Sequence, residues 1–270
     1  MHIGLEIARI RAGGDISLRL DNDILYTAPQ YKIEVENIRK LCRALHRSNY
    51  ECGTINNLHS LPLQRRFEVN AQTFPGAPAV QTGDQSLTYG ELDNQADELA
   101  LYLQRRGLHA GCFCIVRLEP SIAEVRVILA ILKAGATYVK FDPGLGPQHE
   151  AAVFDVLEPS FLFVHVTEAL NPEAGRLQVV GCEDGPMDLP FGWPDEAKVG
   201  ARTPACAVVY PTPGGGVCIS MRTHQSLAFP ERVPARSRRS TSGQSSRAHH
   251  DPVNFWKVLS KGSLMVIPHA

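Results

Sequence analysis

The sequence predicts an α/β fold in which helices cover the faces of a parallel or mixed sheet. Short apolar runs, which are typical of buried strands, alternate with longer segments whose apolar residues recur at helical spacing. Two of these segments begin with a serine or threonine that is followed three positions later by a glutamate, at Thr88 and at Ser121. Each ends at a glycine, Gly107 or Gly135. Together these signals indicate consecutive strand-helix-strand units.

The N-terminal residues predict one strand and one helix. From Ile16, apolar and polar residues alternate as they do in a half-buried strand. After Pro29, apolar residues return at helical spacing, beginning with Ile33. One strand and one helix are too few to form a core by themselves. Residues 49–65 are polar and rich in turn formers, and we interpret them as a linker.

From residue 66 onwards the pattern predicts a succession of strands and helices. The helix after Thr88 comes first and has a single apolar face. The further predicted elements are strand 112–118, the helix from Ser121, strand 137–141, helix 148–157, strand 161–166, a short strand at 177–180 and strand 205–209. This order of elements is the basis of the α/β assignment.

Composition narrows the classes of function. The chain has 27 Lys and Arg against 28 Asp and Glu, so it has no overall field that would attract nucleic acid or an anionic membrane. No apolar run approaches the ~20 residues that a membrane span needs. The seven cysteines follow no metal-binding spacing and lie mostly in apolar runs. This favours reduced core thiols and a cytoplasmic protein.

Two ordered motifs resemble those of a known family. Residues 132–143 read LKAGATYVKFDP, and residues 87–92 read LTYGEL. They are similar to the LKAGxAYVPxDP and LTYxEL motifs of adenylation domains in nonribosomal peptide synthetases, within the adenylate-forming ligases. Lys140 and Phe141 depart from the family's proline and aliphatic residue. The resemblance implies an enzyme that uses ATP and Mg²⁺ to convert an amino or aryl acid into an acyl-adenylate, which it passes to a carrier thiol.

The resemblance also implies how the chain is divided. Residues 1–48 resemble the last elements of a condensation domain, residues 49–65 form the linker, and residues 66–270 resemble the N-terminal portion of an AMP-binding domain. Within that portion, residues 66–80 resemble the family's entry helix and the strand that follows it. Residues 230–247, which are rich in Arg and Ser, are predicted to be a flexible segment. No residue matches the later elements of the family, so we expect a truncated protein.

A counterpart of the family's phosphate-binding loop follows Tyr210. Residues 210–217 read YPTPGGGV where the family has YTSGSTGxPKGV, and residues 223–227 read THQSL, similar to THxSL. Prolines have no N–H group to donate to a phosphate, and a glycine stands in the place of the family's lysine. We therefore expect weak ATP binding. The cofactor-binding residues implied for this degenerate loop are Thr212, Gly214, Gly215 and Gly216.

Two further candidates lie near the end of the sequence. His224 is a lone histidine beside a loop, and such a residue is usually a hydrogen-bonded part of the structure. Residues 255–268 resemble the family segment FWEILxxLLSGGxLVIP, which implies Asp251 as the carboxylate that binds the amine of the substrate. An Asp before Pro252 also suits a turn. No residue is predicted to be catalytic or to bind a metal.

The sequence thus predicts an inactive, truncated adenylation domain of the peptide synthetase type. Two alternatives stay open: a noncatalytic interaction module, and one part of a split adenylating ligase that another polypeptide completes. The expected partners are other synthetase modules or a carrier domain. Nothing in the sequence identifies the acid substrate.

Overall fold

A computed structural model of the 270-residue chain describes residues 15–20, 23–29, 61–141, 145–168, 177–185, 189, 192–212, 216–228 and 252–267. These residues form one sheet of eight strands and one of three, with helices against both faces of the larger sheet. The predicted α/β class is confirmed. Within the same ranges, no helix is long and apolar enough to cross a membrane.

The large sheet has six strands of one direction, five of them adjacent, and two strands of the other direction. In chain order the strands are β1 (Asp15–Leu20), β2 (Asp23–Pro29), β3 (Pro78–Thr82), β4 (Gln85–Thr88), β5 (Phe113–Arg117), β6 (Thr137–Phe141), β7 (Phe161–His165), β8 (Gln178–Cys182), β9 (Pro204–Pro211), β10 (Val217–Thr223) and β11 (Met265–Ile267). The large sheet has the order β2-β1-β10-β9-β6-β5-β7-β8, and the small sheet has the order β11-β3-β4. Strands β9, β6, β5, β7 and β8 are parallel, whereas β10 and β1 run in the opposite direction.

Side chains on the two faces of the large sheet enter separate cores. The helices are α1 (Leu63–Thr73), α2 (Tyr89–Arg105), α3 (Ile122–Lys133), α4 (Pro147–Leu157), α5 (His224–Ala228) and α6 (Pro252–Leu259). On one face, Cys114 and Val116 of β5 share a core with residues of α1, α2, α3 and α6. On the other face, Phe113 and Ile115 of the same strand pack with α4. The alternation follows from the two-residue period of a strand.

The two predicted helix starts differ in their capping. At α2 the Thr88 hydroxyl accepts the N–H of Glu91 at 3.2 Å, and the Glu91 carboxylate accepts the N–H of Thr88 at 2.9 Å. At α3 the Ser121 hydroxyl accepts the N–H of Glu124 at 3.1 Å. The Glu124 carboxylate, however, pairs with Lys140. The spacing of Ser121 and Glu124 also predicts a return hydrogen bond from the N–H of Ser121 to the Glu124 carboxylate. That part of the prediction is wrong, because the carboxylate forms a buried ion pair instead.

Lys133, in the LKAG motif, joins three helices. Its side chain is 3% exposed, and its Nζ lies 2.6 Å from Asp97, 2.8 Å from Asp93 and 3.3 Å from Glu68. Both aspartates belong to α2 and the glutamate to α1. Burial opposes the positive charge, but the carboxylates outweigh it and raise the pKa of Lys133 above its ordinary value. The motif lysine is thus the cation at the centre of a helix junction.

Gly135 of the same motif has a backbone conformation that excludes other residues. Its φ is +81°, and a Cβ at this position would lie 2.7 Å from the Cβ of Ala197. Real Cβ atoms do not approach so closely, and a side chain is also disfavoured at this φ. The glycine lets the chain leave α3 and enter β6 beside the segment that contains Ala197.

Within the described ranges, four strands are absent from the sequence prediction. These are β2, β4, β10 and β11. In β4 the residues Gln85 and Ser86 are exposed, and a short polar strand lacks an apolar signal. Strand β10 follows the glycine-rich loop, and its residues enter the sequence prediction only as part of the motifs around that loop. The helix predicted after Pro29 lies outside the described residues.

The boundaries near the predicted linker also differ. Helix α1 begins at Leu63, inside the range 49–65, because Leu63 and Phe67 both belong to the core. Strand β1 pairs in parallel with β10, so residues before the linker range add strands to the same large sheet. The division of the chain into three parts stays a prediction, and residues 230–247 lie outside the described part.

Candidate functional site

The carboxyl ends of the parallel strands meet at one edge of the large sheet. Strand β6 ends at Phe141, which is beside Val209 of β9, and β9 ends shortly afterwards at Pro211. Strand β10 begins at the same edge with Val217. Ligands of open parallel sheets bind at this edge, where the loops leave the strands. The loop between β9 and β10 is therefore the candidate site.

This loop is the end of a closed hairpin. The two strands are paired as far as Pro211 and Val217. Beyond that pair, the N–H of Thr212 donates a hydrogen bond of 2.9 Å to the carbonyl oxygen of Gly216. Two of the predicted loop residues thus bond to each other across the base of the loop. Their backbone groups close the turn instead of facing a ligand.

The other predicted site residues cannot be placed in the same way. Gly214, Gly215 and Asp251 lie outside the described residues. The roles assigned to these residues stay predictions. The implied binding of the substrate amine by Asp251 stays one as well.

The described residues fit the phosphates of ATP poorly. The N–H of Thr212 is already paired and Pro211 has none, so neither residue offers a backbone donor to a phosphate. A Mg²⁺ ion that accompanies ATP usually has carboxylate ligands as well as phosphate ligands. In the described ranges, no group of three His, Cys, Asp or Glu side chains could hold a metal ion.

Lys140 introduces a positive charge near this edge, but the charge is neutralised. Its Nζ pairs with the carboxylate of Glu124 and donates a hydrogen bond of 3.2 Å to the carbonyl oxygen of Leu118. Both charged side chains are buried. A buried pair of this kind satisfies each partner and leaves little charge for a ligand. The residue that departs from the family motif therefore serves the packing of α3 on β6.

Three side chains form a connected group at the root of the hairpin, and they are Arg19, Tyr210 and Cys218. The Arg19 guanidinium and the Cys218 thiol are both near enough to the Tyr210 hydroxyl to change its pKa. Burial, and then the contact with Cys218, raise the pKa of Tyr210, while the contact with Arg19 lowers it less. The contact with Tyr210 in turn raises the pKa of Arg19.

Tyr138 and Trp256 connect the strand before the site to α6. The indole N–H of Trp256 donates to the Tyr138 hydroxyl at 3.1 Å, and both side chains are buried. Phe255 meets the indole edge to face, with ring centroids 5.1 Å apart. Burial raises the pKa of Tyr138 far above its ordinary value, so this hydroxyl stays protonated. The contact is structural and holds α6 on the sheet.

His224 caps a helix that is remote in sequence. The Nδ1 atom of His224 accepts the N–H of Leu63 at 3.1 Å, and the imidazole is buried. Helix α1 follows Pro62 and has no side-chain cap of its own, so His224 satisfies one of its first N–H groups. The hydrogen-bonded structural role predicted for His224 is confirmed.

Replacement of His224 by alanine is expected to lower the free energy of unfolding by about 1 to 3 kcal/mol, because a buried N–H of α1 loses its acceptor. Urea unfolding followed by circular dichroism measures the change. His165→Ala is the matched control, because that histidine is exposed on β7. Equal effects of the two substitutions would contradict the capping role.

Sequence reasoning missed the residues whose partners lie far away in the chain. Arg19 belongs to the segment interpreted as another domain, and no local pattern links it to Tyr210. The sequence predicts that Glu124 caps the start of α3. Lys140, in an apolar strand, was a signal that a carboxylate must lie nearby. The role of His224 as a helix cap required knowledge of how α1 and α5 meet.

Comparison with known proteins places these features in a family. The sequence profile described as "AMP-binding enzyme" matches residues 67–206. A protein of the linear gramicidin synthase from Brevibacillus parabrevis is 47% identical over 169 residues, which is 60% of this chain and 3% of that protein. The chain therefore spans a small part of the length of this relative.

Solved structures show the same fold. The N-terminal subdomain of NpsA from Klebsiella oxytoca aligns with a TM-score of 0.57 and 20% identity, covering 78% of this chain and 56% of that one. The nonribosomal peptide synthetase FmoA3, in its AMPPNP-bound form, aligns with a TM-score of 0.62 and 21% identity, covering 84% of this chain and 24% of that one. The resemblance inferred from the motifs is confirmed.

Proposed function

The chain belongs to the family of AMP-binding enzymes, and from that premise we propose that it is an adenylation domain portion of the peptide synthetase type whose phosphate loop binds ATP too weakly for acid activation. The observation that carries the proposal is the closed hairpin. In it the N–H of Thr212 bonds to Gly216, and the neighbouring prolines provide no N–H groups.

The expected loss of affinity is large because several donors are missing together. Phosphates bind to clustered N–H groups, hydroxyls and a cation. A hydrogen bond to a charged group contributes about 1.5 to 3 kcal/mol, and each ~1.4 kcal/mol is a factor of ten in the dissociation constant. Loss of two or three such bonds therefore weakens binding by several orders of magnitude. Inactivity of this chain in acid activation follows from weak ATP binding.

The relatives support the expected setting of this function. The gramicidin relative is by its name part of a synthase, so other synthetase modules or a carrier domain are the partners that we propose. The family description supports ATP as the ancestral nucleotide, with Mg²⁺ as its usual counter-ion. Four of the five cysteines in the described ranges are buried and are not joined in disulfides, which supports a reducing compartment such as the cytoplasm.

The proposal is tested by restoring the loop. Residues 211–216 are replaced by the family segment TSGSTGxPKG, and binding of Mg-ATP to the native chain and to the variant is measured by isothermal titration calorimetry. We expect the variant to bind at least about 100-fold more tightly, because it regains hydroxyls, N–H groups and a lysine. The same replacement with glutamine in place of the lysine is the matched control, and it should recover only part of the gain.

Two results would contradict the proposal. Micromolar binding of Mg-ATP by the native chain would show that the hairpin provides a working site. Unchanged affinity in the restored variant, with a normal thermal melt, would show that the defect does not lie in this loop.

A further inference from the structure

The register of the strands places the side chains of Arg19, Tyr210 and Cys218 on the same face of the large sheet. Tyr210 and Cys218 are the paired residues at the root of the hairpin, near its loop. Arg19 of β1 pairs with Ser220 of β10, and Tyr210 of β9 pairs with Cys218 of β10. Cys218 and Ser220 are two positions apart on one strand and therefore face the same side of the sheet. The guanidinium can thus cross β10 and approach the Tyr210 hydroxyl.

The Tyr210 contact uses only part of what the guanidinium can donate. An arginine has five N–H donors in a planar fork. The Nε of Arg19 is buried and has no hydrogen-bond partner among the described residues. A buried N–H group without an acceptor lowers the stability of the fold, so a ligand that accepts this hydrogen bond would be favoured. The Arg19 side chain is partly exposed, so such a ligand can reach it from solvent.

The neighbouring cations on the same sheet are already paired. Lys140 bonds to Glu124, and Arg117 lies 2.5 Å from Glu150. Arg19 has a neutral phenol as its described partner, and no carboxylate of the described residues pairs with it. Unlike Lys140 and Arg117, Arg19 can therefore meet an anion without displacing an ion pair with a carboxylate of the described residues.

We propose that Arg19 binds a phosphate group at the root of the β9–β10 hairpin, with Tyr210 fixing the orientation of the guanidinium. The proposal rests on the proposed function in one respect, since it takes this hairpin as the degenerate counterpart of the family's phosphate loop. A guanidinium suits phosphate because its paired N–H groups match two phosphate oxygens. Arg19 lies outside residues 67–206, so the family match does not assign it this role.

Phosphate has two possible sources, the nucleotide and the free inorganic anion. Binding of inorganic pyrophosphate and of ATP, both without Mg²⁺, is therefore measured separately by isothermal titration calorimetry. The full chain is compared with Arg19→Gln, Arg19→Lys and Tyr210→Phe. Arg117→Gln is the matched control, because it removes the same charge from the same sheet but from an existing ion pair.

We expect Arg19→Gln to weaken pyrophosphate binding by about tenfold or more, as for loss of one charge-assisted hydrogen bond. Arg19→Lys should recover part of the loss, since it keeps the charge without the fork. Tyr210→Phe should weaken binding less than Arg19→Gln, and Arg117→Gln by less than about twofold. A parallel loss for ATP would identify the nucleotide as a source, and a loss for pyrophosphate alone would identify the free anion.

The proposal is overturned by equal losses in Arg19→Gln and Arg117→Gln, or by pyrophosphate binding that Arg19→Gln leaves unchanged. Absence of pyrophosphate binding to the native chain at millimolar concentration would overturn it too. If Arg19→Gln perturbs folding, the affinity of Arg19→Lys for pyrophosphate is compared with that of the native chain instead. Both proteins carry the charge, so a lower affinity of Arg19→Lys supports the proposal and an equal affinity contradicts it. The two proposals can fail separately. If Arg19→Gln weakens pyrophosphate binding but the loop-restored variant binds Mg-ATP no more tightly than the native chain, this inference is supported and the proposed function is contradicted.

Discussion

Replacement of Lys133 by methionine is expected to lower the free energy of unfolding by about 3 to 5 kcal/mol, the usual cost of removing one partner from a buried ion pair. Lys133 is the cation that three carboxylates share, those of Glu68, Asp93 and Asp97. Without it, these negative charges face each other beside α1, α2 and α3. The loss is measured by urea unfolding at neutral pH.

The matched control is Lys257→Met, because Lys257 is an exposed lysine at the end of α6. It should change the free energy of unfolding by less than about 0.5 kcal/mol. A similar small loss for Lys133→Met would show that the carboxylates are solvated well enough to stand without the cation.

The dependence on pH gives a second readout for Lys133. The pKa of Lys133 is raised in the folded chain, so its contribution to stability is complete below the ordinary lysine value of 10.5. The contribution is lost as the pH rises through the raised value. The difference in stability between the native chain and Lys133→Met should therefore shrink at strongly alkaline pH. A difference that grows in that range would contradict the ion-pair explanation.

Replacement of Trp256 by alanine is expected to cost about 3 to 5 kcal/mol, the usual penalty for a large aromatic residue deleted from a core. The indole is fully buried, and its N–H bonds to the Tyr138 hydroxyl. The substitution therefore leaves both a cavity under α6 and a buried hydroxyl that has lost a partner. Urea unfolding followed by far-ultraviolet circular dichroism measures the effect without relying on tryptophan fluorescence.

The other tryptophan of the chain is a natural control. Trp193 is 74% exposed, so Trp193→Ala should change the free energy of unfolding by less than about 0.5 kcal/mol. Trp256→Phe keeps most of the buried area but cannot donate to Tyr138, and it should have an intermediate effect. Comparable losses for Trp193→Ala and Trp256→Ala would contradict the anchoring role of α6.

Much of the fold could be predicted because its signals are local. The cap at Thr88 and the apolar face that follows it are both encoded within α2, and the structure has them. Strand β6 has the bounds that the apolar run predicts, and β5, β7 and helix α4 differ from prediction by one residue at one or both ends. Short polar strands such as β4 carry no such signal, because their residues face solvent.

The candidate site was only partly predictable. The position of the loop after Tyr210 followed from the motif, and the prolines already indicated a shortage of N–H donors. The bond between Thr212 and Gly216 was not predictable, because it depends on how far the two strands remain paired. The sequence of the loop also gave no sign that Arg19 contacts Tyr210.

The sequence by itself determined the fold class and the family, and it is the source of the prediction that the phosphate loop binds ATP weakly. These depend on residues that are close together in the chain, where spacing and residue type suffice. The tertiary structure decided which side chains meet: Lys133 with carboxylates of two other helices, His224 with the start of α1, and Arg19 with Tyr210. Those contacts form only when the sheet and its helices pack, because packing brings distant residues into contact and excludes the water that would otherwise solvate them.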